Sequence, residues 1–180
     1  AGAGITALVQ SSSATTLATI GFVSAGLLSL PNAIGVVIGA NIGTTATGWL
    51  VSLLGLKLSI GKIAMPLIGV GALLRLLARE RLAQAGLALA GFGVIFVGID
   101  ALQAGMAALA GRVDPAQFPV AGLAGRLLLV LLGVLMTVIM QSSSAAVATT
   151  LTALSGGAIT LDQAAALVIG QNVGTTVTAA

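Results

Sequence analysis

Long apolar runs, parted by short clusters of glycine, proline and charge, fill most of the chain. They cover residues 33–56, 63–77, 85–109, 123–140 and 146–154, with a last one from Ala164 onward. About 20 mostly apolar residues cross a bilayer as a helix. By that measure 33–56, 85–109 and 123–140 predict membrane helices, and 63–77 a shorter one that its flanks can extend. The run 33–56 carries GANIGTTATG in its middle, and a similar GQNVGTT follows Ala164. Glycines there allow the backbone to unwind and approach a ligand closely, so a broken helix is expected at both places. Between the runs lie a loop around Lys57 and Lys62, the charged run RLLARERL with Arg75, Arg79, Glu80 and Arg81, and a loop with Arg112, Asp114 and Pro115. We read RLLARERL as a solvated loop. A turn is expected at 155–157. Ser29 before Pro31 marks a helix start, and Thr160 with Gln163 has capping-box form.

Composition fixes the solvent. Only 6% of the 180 residues are charged and 58% are apolar, with a mean hydropathy of +1.18. A soluble domain carries roughly a quarter charged residues, so the expectation is an all-α, multi-pass membrane protein. The net charge of +3 comes from seven Lys/Arg against four Asp/Glu. These cations are scattered and have few aromatics for company, which argues against nucleic acid and for anchoring at the membrane edge. There is no Cys and no His, which removes disulfides, thiolate or imidazole metal sites and the usual nucleophile–base pairs. Glu80 and Asp114 fall in expected loops and Asp162 at a helix start, so no catalytic set assembles and no enzyme is expected. Asp100 lies within an apolar run, where an ionisable group is a functional candidate by type. A few frayed residues would bring it to headgroup level, and we read it there. The chain starts inside one apolar segment and stops inside another, as a piece of a longer protein would.

The polar positions repeat. A shift of 131 positions sets Gln10 on Gln141, Gly39 on Gly170, Asn41 on Asn172, and Thr44 and Thr45 on Thr175 and Thr176. No gap is needed, and nearly half of the positions from 10 to 47 are identical. Shared composition would align Ala, Gly and Leu, but not QSSSA, N-x-G-T-T-x-T and the helix starts in one register. This is an internal duplication, with residues 1–80 as the remainder of one repeat and 85–180 as most of the other. If QSSS sits at the tip of a re-entrant hairpin, with 123–140 as an entering arm, three crossings separate the copies and the second is inverted. If 123–140 crosses fully, the copies are parallel. We take the inverted arrangement.

Neutral polar side chains in hydrocarbon are unfavourable unless they line a cavity or find protein partners. Hydroxyl and amide oxygens are hard ligands suited to Na⁺. The same groups, with N–H groups at helix N-termini, can surround an oxyanion. One serine cluster would more simply join helices. Two in register, each followed by N-x-G-T-T, point to a pair of half-sites. Pairs such as Gly35 with Gly39, and Gly86, Gly91 and Gly93, read as helix contacts.

QSSSATT followed by GANIGTTATGWL, then QSSSA followed by GQNVGTTVT, closely resembles the type II sodium–phosphate cotransporter family and its bacterial relatives. The resemblance covers essentially the whole chain, and GFGVIFVGIDAL at 91–102 looks like the helix that opens each repeat. It implies two inverted-topology repeats, each a re-entrant QSSS hairpin plus a broken helix, that couple inorganic phosphate to the Na⁺ gradient. Gln10, Ser11, Ser12, Ser13, Gln141, Ser142, Ser143 and Ser144 would then form the tips that hold phosphate and Na⁺. Asn41, Thr44, Thr45, Asn172, Thr175 and Thr176 would be their partners on the unwound helices. The implied setting is a bacterial inner membrane. Phosphate, sodium and lipid are the implied partners, a homodimer the candidate assembly, and Na⁺ the coupling ion with no other cofactor. Two departures matter: Ala146 and Val147 replace Thr15 and Thr16, and Gln171 replaces Ala40, so the half-sites need not be equivalent. The competing readings are export of phosphate or carriage of another oxyanion on the same fold, and a channel or scaffold in which the tips only join helices.

Overall fold

The computed structural model describes residues 1–53, 61–110 and 122–177. Eight helices account for nearly all of them: α1 (Gly2–Val9), α2 (Ser12–Ser24), α3 (Leu30–Leu50), α4 (Gly61–Leu77), α5 (Glu80–Ala110), α6 (Gly122–Met140), α7 (Ser143–Ser155) and α8 (Leu161–Val177). The loops expected around Lys57 and around Arg112, Asp114 and Pro115 lie outside the described residues, although Lys62 falls in the first turn of α4.

Glycine sets the helix spacing. In the first copy Gly2 lies against the backbone of Val36 and Ala40, Gly39 against Ala3, and Gly43 against Ala3 and Thr6. The partners advance together along both helices, so α1 and α3 run parallel. The second copy repeats this, with Gly133 against Leu167 and Gln171, Gly170 against Val130, and Gly174 against Val134 and Thr137. Helices α6 and α8 are therefore parallel too. Between each parallel pair the chain folds back. Thr19, Ile20 and Val23 of α2 face Leu30, Ala33 and Val37 of α3, across a turn in which Gly26 takes a φ of 71°. Its counterpart Gly157 takes 73°, at the turn expected there. Each copy is thus a helical hairpin plus a third helix parallel to the first arm. Joining the copies are α4 and α5, antiparallel because Gly71 meets Gly86 and Ala90 while Gly93 meets Ala64 and Ile68. A buried cluster of Val51, Ala64, Phe96, Ile99 and Ala148 ties the C-cap of α3 to α4, α5 and α7. Across the copies α3 touches α7 and α8 touches α2, the exchange of partners that a two-fold relation produces.

The interior is the more polar side. Thr6, Thr15, Thr137, Thr150, Gln163 and Gln171 are buried, while Leu8, Leu77 and Ile139 are at least 79% exposed. That is the reverse of a protein in water and the pattern of helices packed by small and hydroxyl residues within hydrocarbon. Leu30–Leu53, Glu80–Gly105 and Gly122–Met140 are long and apolar enough to cross a membrane. The protein is an all-α membrane protein.

Two expectations are overturned. Neither α3 nor α8 is broken: helix runs unbroken through Gly39–Thr45 and through Gly170–Thr176. The glycines serve close packing instead of unwinding. The threonine hydroxyls donate back along the helix, Thr44 to Ala40 O (3.2 Å), Thr45 to Ile42 O (2.7 Å), Thr175 to Gln171 O (3.1 Å) and Thr176 to Val173 O (2.7 Å). Hydroxyls satisfied in this way need no exit from the helix. Nor is RLLARERL a solvated loop. Helix α4 ends at Leu77 and α5 begins at Glu80, so only Ala78 and Arg79 intervene, with Glu80 at a φ of 50°. Asp100 is an exposed residue of α5. It stands about 28 Å along the helix from Arg81 at 1.5 Å per residue, close to one hydrocarbon thickness. Helix α5 does not fray there: it continues past Asp100 to Ala110, and the span Glu80–Gly105 includes Asp100.

Candidate functional site

At each QSSS the helix stops because the glutamine turns left-handed, with φ 57° at Gln10 and 52° at Gln141. The side chain then satisfies a carbonyl that the ended helix leaves open: Gln10 Nε2 donates to Ala7 O at 2.5 Å and Gln141 Nε2 to Val138 O at 2.6 Å. The next residue starts the returning helix. Ser11 and Ser142 are extended, and each hydroxyl accepts from the N–H three residues on, Ala14 and Ala145, at 3.2 Å. A left-handed glutamine followed by an N-capping serine makes a two-residue reversal. It also points the positive end of a helix at the tip.

Behind the tips Ser12 and Ser143 are buried, and Ser13 is half-buried. The two tips are linked by a residue the sequence reading did not single out. Thr47 Oγ1 lies 2.7 Å from Gln10 Oε1 and 3.5 Å from Ser144 Oγ. An amide oxygen only accepts, so the Thr47 proton goes to Gln10 and the longer contact is completed by the Ser144 hydroxyl. Thr47 closes the N-x-G-T-T-x-T motif in both copies, which was the signal for it; Thr178, its counterpart, lies outside the described residues. Thr6 and Thr137, with Gly2 and Gly133, were missed as well. The 131-residue shift reaches them when it is carried upstream of Gln10.

A cavity of about 300 Å³ opens where α3 meets the second copy. Its polar groups are Asn41, Thr44, Thr45 and Ser52 from the first copy and Asn172 from the second, and its apolar walls include Trp49, Val147, Leu151 and Val168. Four expected residues therefore converge here: Asn41, Thr44, Thr45 and Asn172. The QSSS side chains do not line it. Gln141 bonds locally, Thr175 is buried and bonded to α8, and Thr176 is exposed on the outer face.

The lining divides into two kinds of chemistry. Thr44 and Thr45 spend their protons on helix carbonyls, which leaves oxygen lone pairs fit for a cation. Asn172 spends one N–H on Val168 O at 3.1 Å, so its amide keeps a second donor for an anion. Among the described residues no charged side chain lines the cavity, and no group of three His, Cys, Asp or Glu able to hold a metal occurs.

The family described as Na⁺/Pi-cotransporter matches residues 1–104 and 120–180. YqeW of Bacillus subtilis, an uncharacterized protein, is 35% identical over 97% of this chain and 55% of its own length. An Escherichia coli protein provisionally named as the inorganic phosphate export protein YjbB is 34% identical over 97% of this chain and 31% of its own length. Sheep sodium-dependent phosphate transport protein 2A is 46% identical over 50 residues, 28% of this chain and 8% of that protein. The chain thus spans about half of the Bacillus relative and about a third of the E. coli one. No solved structure matches it. With its repeated QSSS turns, its N-x-G-T-T helices and a family match over most of its length, the chain belongs to the Na⁺/Pi-cotransporter family.

Proposed function

We propose that this protein carries inorganic phosphate across the membrane together with Na⁺, and that both bind between the copies, in the cavity of Asn41, Thr44, Thr45 and Asn172. The observation that carries the reading is the make-up of that cavity: neutral donors and acceptors from both copies, apolar walls and, among the described residues, no charged side chain. A phosphate dianion placed there meets no cation among the described lining residues, and an unbalanced charge away from water is strongly disfavoured. Sodium ions on the hydroxyl oxygens supply that balance. They also leave with the substrate, as a carrier requires and a fixed arginine would not allow. Asn41 and Asn172 orient the anion, while Gln10, Thr47 and Ser144 join the tips beside it.

We take the inverted topology, with α6, which is also long enough to cross, as the entering arm of a re-entrant hairpin. Helices α3, α4 and α5 lie between the first hairpin and the second, and α4 and α5 are antiparallel. Three crossings between re-entrant hairpins turn the second copy over. Binding at the join of two such copies permits alternating access by rocking one against the other. The names of the relatives favour a second reading for direction only. The E. coli protein is named for phosphate export, and the sheep protein for sodium-dependent transport.

Labelled-phosphate flux in proteoliposomes holding the membrane protein that carries this chain, under Na⁺ or K⁺ gradients of each orientation, tests both. Flux driven by Na⁺ and abolished when K⁺ replaces it supports symport. Flux outward under physiological gradients with no Na⁺ requirement would select export, and no phosphate flux in any arm would refute the proposal.

A further inference from the structure

We propose that Gln171 is a positioning residue that pins the second hairpin to α8, a tie that Ala40 cannot supply in the first copy. This rests on the transport reading above. The two departures from the repeat, Ala146 for Thr15 and Gln171 for Ala40, are a single exchange in space. In the first copy the Thr6 hydroxyl donates to Thr15 Oγ1 at 2.9 Å, which joins the two arms of the hairpin, α1 and α2, to each other. Ala40 offers no side-chain group to either arm. In the second copy Thr137, the counterpart of Thr6, meets no hydroxyl at Ala146 and donates to the backbone oxygen of Gln171 at 3.1 Å. The Gln171 amide turns toward the place that Thr15 holds in the first copy. Its Nε2 donates to Ala146 O at 3.2 Å and to Thr150 Oγ1 at 2.7 Å.

The arms of the first hairpin are therefore bonded to each other, and the arms of the second are each bonded to α8. Gln171 is fully buried, so water does not compete for these bonds. Its orientation is fixed, because turning the amide would set Oε1 against the Ala146 carbonyl. Oε1 itself is buried and has no partner among the described residues. An orphan acceptor weakens a fold, and an alanine such as Ala40 would avoid it. What the amide supplies is a directed tie between α7 and α8, one residue from Asn172 in the cavity. At the tip of the first hairpin Thr47 of α3 donates to Gln10. Rocking of one copy against the other then works on two hairpins that are held in different ways.

Hydrogen–deuterium exchange of the membrane-embedded protein tests the assignment, because it reads local opening. The segments 12–24 and 143–155 are compared directly. We expect 143–155 to exchange more slowly in the unaltered protein. Gln171→Ala, and the volume-keeping Gln171→Leu should the alanine variant fail to fold, speed it about tenfold, the loss of two intramembrane hydrogen bonds, and leave 12–24 unchanged. Transplanting the exchange as Thr15→Ala with Ala40→Gln slows 12–24, a gain that loss of packing would not produce. Unchanged exchange at 143–155 in the Gln171 variants, or both segments loosening together, would overturn the proposal. None of these readings requires phosphate to be carried, so this inference and the transport reading fail separately.

Discussion

Gly170 and Gly4 both sit within apolar helices, yet only one of them is irreplaceable by geometry. A Cβ on Gly170 would run into the Val130 carbonyl, whereas one on Gly4 would meet nothing within 4 Å. Gly170→Ala is expected to force α6 and α8 apart and lower stability by about 1–3 kcal/mol, the usual range for overpacking. Gly4→Ala should leave stability unchanged or raise it by up to about 1 kcal/mol, since alanine favours helix. Thermal unfolding in detergent separates the two. At Thr47 the expectation is functional. Thr47→Val keeps the shape but removes the proton given to Gln10, which should reduce phosphate transport strongly while stability falls by about 1 kcal/mol or less; Thr47→Ser should keep both. Transport equal to the unaltered protein in Thr47→Val would remove Thr47 from the site. This scale was the hardest to read in advance. A glycine in GANIGTT serves an unwound backbone or a close helix contact equally well, and only the neighbour across from it decides. That neighbour is α1, eight residues long and distant from Gly39 in sequence.

Helices were largely legible from apolar runs and start signals, and their caps show where such signals carry energy. The capping box at α8 is real: Gln163 Oε1 accepts from Thr160 N at 2.7 Å, and Thr160 Oγ1 from Gln163 N at 3.4 Å. Ser29 precedes α3 in the same way but makes no side-chain capping bond. Thr160→Ala should therefore cost about 1 kcal/mol and Ser29→Ala almost nothing, as chemical denaturation of the two variants can show. A larger loss at Ser29 than at Thr160 would contradict this reading of the helix starts. The charged run misled because charge in a membrane protein signals the headgroup layer and not the absence of helix. Arg75 and Arg81 sit in the end turns of α4 and α5, with a two-residue connection between them. The hairpins came from the duplication, since α1 and α2 alone are too short to declare themselves against longer neighbours.

The described residues form two three-helix copies joined by α4 and α5, and their interior polarity makes sense only at that scale. Serines and threonines that look costly along one helix are buried between helices, and the polar groups of α3 meet Asn172 of α8 across a cavity that neither copy could enclose by itself. The repeat raises the expectation of two half-sites; it could not foretell that the N-x-G-T-T helices, and not the QSSS side chains, would line the cavity between the copies. That depends on how α3 and α8 cross, which no local pattern encodes. The central claim is that one ligand is held by both copies. Equilibrium binding of labelled phosphate in Na⁺ tests it most directly, using the purified membrane protein with Asn41→Leu, Asn172→Leu and both together. A shared cavity predicts that each single change weakens binding by about tenfold or more, the worth of one hydrogen bond to a charged ligand, and that replacing Na⁺ by K⁺ weakens it further. Full affinity in either single variant would contradict the account.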